Sequence, residues 1–496
     1  MGNYVLGIDI GSGSVKVTLL SREGRTVADS GCEYPTYYDR PGWAEQDVGD
    51  WGKAFGAALQ KIYQETGIPP KEIEALAIDA ATHTAVLLDE DGKLLRRAIL
   101  WTDQRCAGET EYLKAEYAAL IRKLCKNEVT TVWTLPQLMW LHRHEPEIWS
   151  KIRHILFAKD YLRFLLTGIM ETDSIDAMGS MFYDEEKKCW SETLCRIGEI
   201  PMEWLPEIRE PAEMAGTVTA RAAREYGLSE GTKVLIGTTD TVMEVFAAGN
   251  VKRGHSTVKL ATAGRICTVS DRAVDSPYIF NYRHVIDGLW YPGTAASSCA
   301  ASYRWYRDSL GEMPYERLNE AAEKISVGSD GLIFHPYLNG ELTPYNDSRL
   351  KSSYIGISAC HTKDHFTRAT LEGVAFSLRD CMDTVKNLGM EMNRVRVIGG
   401  GAKGTLWRQI VADVLGVALE KLKTDDSSFG AAMLTAVGIG WFSGYEEAAA
   451  ACVEIDSVTE PIAENRNIYE ALFRKYRDIH DALQEIYQRD YLTARP

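Results

Sequence analysis

Apolar and polar positions alternate from the first residues of the chain. Residues 4–10 (YVLGIDI) are apolar but for Asp9 and the glycine, and Val15, Val17 and Leu19 then alternate with Lys16, Thr18 and Leu20. A period of two is that of a strand. It predicts three strands near 4–10, 15–21 and 26–34, with Gly11-Ser12-Gly13-Ser14 and Arg22-Glu23-Gly24 as the turns. The period then changes. Trp51, Phe55, Leu59, Ile62 and Tyr63 keep three- and four-residue spacing within residues 47–66, and Gly67 follows, which predicts a helix and its stop. Further strands are expected at 73–79 (IEALAID) and near 85–88, ahead of the turn Asp91-Gly92. Strands first, then strand and helix in alternation, point to α/β layers.

The second half repeats this plan. A strand and helix in 234–249 (VLIGTTDTVMEVFAAG) precede a strand, small-residue turn and strand in 256–270 (STVKLATAGRICTVS). Residues 394–416 (RVRVIGGGAKGTLWRQIVADVLG) then predict strand, glycine loop and helix. Two halves that each open on a hairpin around small residues suggest a duplicated domain with a cleft between. The expected domains are 1–249 and 250–496, with the boundary near Gly249-Gly254. The tail from 462 places Ile468, Leu472, Tyr476, Ile479 and Leu483 on one helical face, for which packing is the expected use.

At 496 residues, two or three domains are expected. A formal charge of -15 argues against nucleic acid or an anionic membrane as a general partner. Ten cysteines without CxxC pairs indicate neither a zinc site nor a disulfide framework. The first strand begins at once, which leaves no room for a signal peptide. Leu6 stands where a myristoylation signal wants Ser or Thr. No apolar stretch approaches a membrane span. The expectation is a cytoplasmic protein.

Three segments carry candidate chemistry. In GIDIGSGS the glycines let backbone N–H groups approach phosphate oxygens as an anion-binding nest, with Asp9 facing a divalent cation and Lys16 reaching a phosphate. An ordinary hairpin with a turn-favouring acid explains the same residues. In GGGAK (399–403) three glycines between strand and helix permit close ligand approach at a positive dipole end, or only a tight turn. It is no Walker loop, because Lys403 is followed by Gly404. Asp240, in GTTDTVMEV, stands open between a helix N-cap and a general base.

Taken together, these segments resemble the FGGY family of carbohydrate kinases, and within it the xylulokinase-like branch. The resemblance runs through LWTDQR (100–105), FAKDYLRFLLTG (157–168), ETDSIDAMGSMFYD (171–184) and GTTD (237–240). It continues through YLNGELTPYND (337–347), ATLEG (369–373), GGGAKGTLWRQIVADVLG (399–416) and FGAAMLTAVGIG (429–440). It implies an α/β fold of two actin-like ATPase (ribonuclease H-like) domains with a cleft that closes over the sugar. It also implies phosphorylation of a small sugar with ATP and Mg2+, most simply a ketopentose such as D-xylulose.

By the same resemblance Asp240 is the base that deprotonates the sugar hydroxyl, and Asp9 is the magnesium-associated acid. Ser12, Gly13 and Lys16 resemble γ-phosphate contacts, Gly400, Gly401 and Ala402 the adenine-nucleotide loop, and His83, Trp101 and Asp103 sugar-pocket residues. His83 equally fits a hydrogen-bonded structural role, Trp101 core packing, and Arg105 a brace for Asp103. Three departures stand out. Ala80-Ala81-Thr82 precede His83 where a serine-glycine-glutamine-methionine run is usual. Leu260-Ala261-Thr262-Ala263-Gly264 replaces a glycine-threonine-serine-glycine turn, which leaves Thr262 and Gly264 as weaker nucleotide contacts. Gln137 stands where lysine is common. Ribulose, erythrulose or gluconate are alternative substrates, and a homodimer is one option for assembly. A non-catalytic nucleotide switch on the same fold would need a client-binding or filament-forming segment, and only a short helical tail follows residue 440.

Overall fold

The computed structural model describes residues 2–489. Met1 and the last seven residues, the outer limits of the two expected domains, lie outside the described part. The chain forms two compact units. The first comprises Met1–Val251, Asn281–Trp290 and Thr424–Val453, and the second Lys252–Phe280, Tyr291–Lys423 and Glu454–Pro496. Among the described residues no helix is long and apolar enough to cross a membrane.

The first unit is built on a mixed sheet. Its strands are β1 (Tyr4–Ile10), β2 (Ser14–Ser21), β3 (Thr26–Glu33), β4 (Ile73–Ala80), β5 (Met214–Thr217), β6 (Lys233–Leu235) and β7 (Thr238–Thr239). The order is β5-β6-β4-β1-β2-β3, with β7 also on β4. β1, β2 and β3 pair antiparallel, while β4 runs parallel to β1 and β6 parallel to β4. The expected helix spans Val48–Thr66. Asp47 caps it by accepting from Gly49 N, and Gly67 closes it in the left-handed region at φ 68°. Trp51, Phe55, Leu59 and Ile62 are buried in the core with Val17, Leu19 and Ile78.

The second unit repeats the pattern with β8 (His255–Leu260), β9 (Gly264–Thr268), β10 (Gly293–Ala296), β11 (Arg394–Ile398), β12 (Leu419–Leu422) and β13 (Ile455–Thr459). The order is β10-β9-β8-β11-β12-β13. Each sheet is thus an antiparallel three-strand meander, then two parallel strands, then an antiparallel edge. The edge strand precedes its neighbour in sequence in the first unit and follows it in the second.

Two local expectations change. The glycine loop after β11 passes through a 3₁₀ turn, Gly400–Lys403, so the helix Thr405–Leu415 starts one turn later than the glycines. In the closing helix Ala463–Gln488 the buried residues are Tyr469, Phe473, Tyr476 and His480. Ile468 is 44% exposed, so the packed face is rotated by about one position from the expected one. Tyr476 sits in both sets because its ring stacks on His335 at 4.3 Å and fixes the rotation.

Candidate active site

Asp9, next to last in β1, pairs in register with Lys16 on β2 and with Asp79 on β4. The turn between β1 and β2 is held from outside. Tyr34 N donates to Gly13 O at 3.1 Å, and Gln46 Nε2 donates to Ser12 O at 2.8 Å. Neither Gly11 nor Gly13 has positive φ, so the turn is not an alternating-handed nest. The glycines act by leaving room. A Cβ on Gly11 would lie 3.5 Å from Asp9 Oδ2, and one on Gly13 would meet nothing within 4 Å. Among the described residues the N–H groups of Ser12 and Gly13 donate to no protein acceptor.

The chain reaches this turn again at residues 424–453. The helix Ser427–Gly438 lies so close to β1 that a Cβ on Gly7 would fall 1.9 Å from Ser428 O. Asp426 caps it, accepting from Ser428 N at 3.1 Å, and is ion-paired with Lys16. Burial pushes the Asp9 carboxyl up to about 7, with help from the Asp426 and Asp240 carboxylates and against Lys16. Asp79 is fully buried and is pushed well above the usual range, by burial first and then by Asp9 and Asp240. Among the described residues Asp9 Oδ1 and both Asp79 oxygens meet no donor other than the facing carboxyl, which can donate when one of the two is protonated. Such a pair is short of positive charge. Two carboxylates suit Mg2+, which takes its remaining ligands from waters and phosphate oxygens. Among the described residues no group of three or more His, Cys, Asp or Glu forms a metal cage.

Asp240 is the first residue of the helix Asp240–Ala247, and Thr239 is its cap, so the N-cap reading of Asp240 does not hold. β7 lies parallel to β4, with Thr238 opposite Asp79 and Thr239 opposite Ala80. Gly237, at φ 75°, makes this pairing possible, since a Cβ there would fall 2.0 Å from Ile78 O. Asp240 Oδ1 accepts from Thr241 N at 2.6 Å, Thr82 Oγ1 at 3.1 Å and Thr241 Oγ1 at 3.3 Å. Thr238 Oγ1 donates to Asp173 Oδ1 at 2.8 Å, and Asp173 is ion-paired with the fully buried Lys159 at 2.8 Å. The turn that presents Asp240 is therefore anchored to the interior.

His83 follows β4 in the left-handed region at φ 72° and is 4% exposed. Its Nδ1 lies 2.6 Å from Gly179 O, an acceptor, so the ring proton sits on Nδ1. Trp101 is 40% exposed rather than packed in a core, and its Nε1 donates to Ser12 Oγ at 3.2 Å. Asp103 is fully buried, accepting from Ala44 N at 2.6 Å and from Arg105 Nε and Nη2 at 2.9 and 2.8 Å. Arg105 is its brace. Gln137 is buried and donates to Leu100 O at 3.2 Å, beside Trp101.

The second unit holds a cavity of about 710 Å³ lined in part by Thr262, Tyr303, Asn319, Gly400, Gly401 and Lys403. Gly400 leaves it open, because a Cβ there would meet nothing within 4 Å. Gly401 packs on Trp407 and Leu260, which a Cβ would approach to 2.7 and 2.9 Å. Ala402 is buried off the lining, its carbonyl accepting from Arg408. Gly264 is also buried off it, under Leu378 and Cys299. Thr262 Oγ1 accepts from Arg304 Nη2 at 3.1 Å.

The sequence reading missed Asp79, Thr82, Asp426 and Arg304. A carboxylate closing the otherwise apolar run ALAID (75–79) was a visible signal for Asp79. Asp426 and Arg304 carry no local signal, since each meets its partner through the fold.

The N-terminal domain of the FGGY family of carbohydrate kinases matches residues 4–247, and the C-terminal domain of that family matches residues 250–439. A xylulose kinase of Bacillus subtilis is 31% identical over 97% of this chain and 98% of its own. The crystal structure of xylulose kinase from Rhodospirillum rubrum superposes with a TM-score of 0.90 at 28% identity, covering 98% of this chain and 100% of its own. That of gluconate kinase from Lactobacillus acidophilus does so with a TM-score of 0.90 at 25% identity, covering 98% and 99%.

Proposed function

The chain belongs to the FGGY family of carbohydrate kinases and phosphorylates a sugar hydroxyl with ATP, and on that premise we propose that its substrate is a ketopentose such as D-xylulose. Asp240 is the general base. The observation that carries this is the convergence, within the first unit, of Asp240 with the Asp9–Asp79 pair, Lys16 and the bare N–H groups of Ser12 and Gly13. Phosphoryl transfer asks little covalent chemistry of a protein. It needs an acceptor hydroxyl held in line, a group to take its proton and donors to offset phosphate charge. Asp240 takes the proton. Lys16 and the Ser12 and Gly13 amides face the transferred phosphate.

Asp9 and Asp79 hold Mg2+, which offsets phosphate charge when bound. His83 and Trp101 contact the sugar, while Asp103 supports them from behind through Arg105 and Ala44. Thr262, Gly400 and Gly401 bind the nucleotide in the cavity of the second unit, and Lys403 joins them there. The relation to the Bacillus subtilis and Rhodospirillum rubrum xylulose kinases supports the ketopentose. Equal structural similarity to a gluconate kinase keeps a sugar acid as the second reading. A coupled ADP-release screen over ketoses, polyols and sugar acids tests both. Highest kcat/KM on D-xylulose or another ketopentose supports the proposal, and highest kcat/KM on gluconate replaces it.

A further inference from the structure

The register of β4 and β7 dictates a contact that the catalytic reading alone does not use. Thr238 and Thr239 lie opposite Asp79 and Ala80, so the residues that leave the two strands, Ala81-Thr82 and Asp240-Thr241, emerge side by side. Thr82 is buried, and its hydroxyl donates to Asp240 Oδ1 at 3.1 Å. Thr241 supplies two more donors to that same oxygen. Asp240 Oδ2 receives no hydrogen bond among the described residues. We propose that Thr82 is a positioning residue that, with Thr241, occupies Asp240 Oδ1 and so assigns Oδ2 as the oxygen that accepts the sugar proton. This rests on the reading of Asp240 as the base.

A carboxylate turns about its last torsion between two broad, nearly equivalent positions. The two Thr241 donors hold Oδ1 only from within the first turn of the residue's own helix. Thr82 comes from a different strand end and ties the carboxylate to the sheet. Its own rotamer is confined. A Cβ on Gly179 would lie 3.0 Å from Thr82 Cγ2, so the backbone at Gly179 already abuts the methyl group. The helix Ser174–Gly179 that brings Gly179 there is capped by Asp173, which accepts from Ile175 N at 2.9 Å and from Thr238 Oγ1 at 2.8 Å. One buried carboxylate thus fixes both the donor and the segment bearing the base.

The test is a double-mutant cycle on Thr82→Val and Asp240→Asn, with Thr82→Ser and Thr82→Ala alongside, read as kcat and KM on the best sugar of the screen. Thr82→Val removes the donor at nearly constant shape. It is expected to lower kcat about 10-fold, with KM for sugar and ATP within about 2-fold, because only proton acceptance is misaligned. Thr82→Ser restores kcat to within about 3-fold of the parent. In the Asp240→Asn background Thr82→Val has no further effect, which a general packing defect would not show. Thr82→Ala decides the point should the valine variant not fold. Unchanged kcat in Thr82→Val beside an inactive Asp240→Asn overturns the positioning role alone. An equal loss in both backgrounds overturns it too. Near-parental activity of Asp240→Asn overturns the base itself, and the positioning role with it.

Discussion

Lys16 on β2 is ion-paired with Asp426, a residue 410 positions further along the chain that caps the helix Ser427–Gly438. The Lys16 side chain is 48% exposed and that of Asp426 28%, so solvent screens the pair and its contribution to stability is under about 1 kcal/mol. Its meaning is functional. A lysine that serves a phosphate must leave this carboxylate or share itself with it. Lys16→Met is expected to raise KM for ATP about 10-fold and to leave the unfolding midpoint nearly unchanged. Asp426→Asn keeps the cap on Ser428 N while releasing Lys16, so KM for ATP should stay level or fall. Steady-state kinetics on both variants decide. An unchanged KM in Lys16→Met removes Lys16 from the phosphate site.

Asp79 makes the metal assignment measurable without turnover. A fully buried carboxyl set against a second acid is costly to ionise, so Asp79→Asn should raise the unfolding midpoint of the metal-free protein. The parent should then gain more from Mg2+ in the presence of a non-hydrolysable ATP analogue than the variant does. A 10-fold loss of metal affinity lowers that gain by about 1.4 kcal/mol at saturating metal. Thermal unfolding across a Mg2+ titration reads the difference. Identical Mg2+-dependent shifts in parent, Asp79→Asn and Asp9→Asn would place the ion elsewhere.

His83 and Gly179 should fail together. His83→Ala leaves a sugar hydroxyl without its partner and is expected to weaken sugar binding by about 1–3 kcal/mol. Gly179→Ala sets a Cβ 2.7 Å from His83 Nδ1 and 3.0 Å from Thr82 Cγ2, so the imidazole must move. Calorimetric titration with the sugar should show weaker binding in both variants, with nucleotide affinity untouched. Full sugar affinity in His83→Ala would move the sugar away from this turn.

Much of this site was legible because strands keep a simple period. Alternation across Val15, Val17 and Leu19 placed the hairpin, and the hairpin alone put Lys16 in register with Asp9. The second hairpin followed from the same pattern at 256–270, whereas its third strand, Gly293–Ala296, was not read. What the sequence hid depends on distance in the fold. Whether Asp240 caps a helix or begins it turns on one residue of helix phase, which propensity does not resolve. The glycines of 399–401 looked equivalent in sequence, yet Gly400 opens the cavity while Gly401 packs on Trp407. The C-terminal helix carried enough apolar residues for two adjacent faces. Stacking of Tyr476 on His335, a partner 141 positions away, chose between them.

The return of residues 424–453 to the first unit has a consequence for biosynthesis. The helix Ser427–Gly438 presses its backbone onto Gly7 and Gly430 onto Met243, so the first sheet lacks one face until that helix exists. A ribosome adding about 5–20 residues per second takes roughly 10–40 s to travel from Val251 to Val453. During that interval the nascent first unit holds β1 and β4 uncovered while the second unit is being made. The first unit is therefore finished only after most of the second has been made, and the opening strands wait for a helix near the far end of the chain.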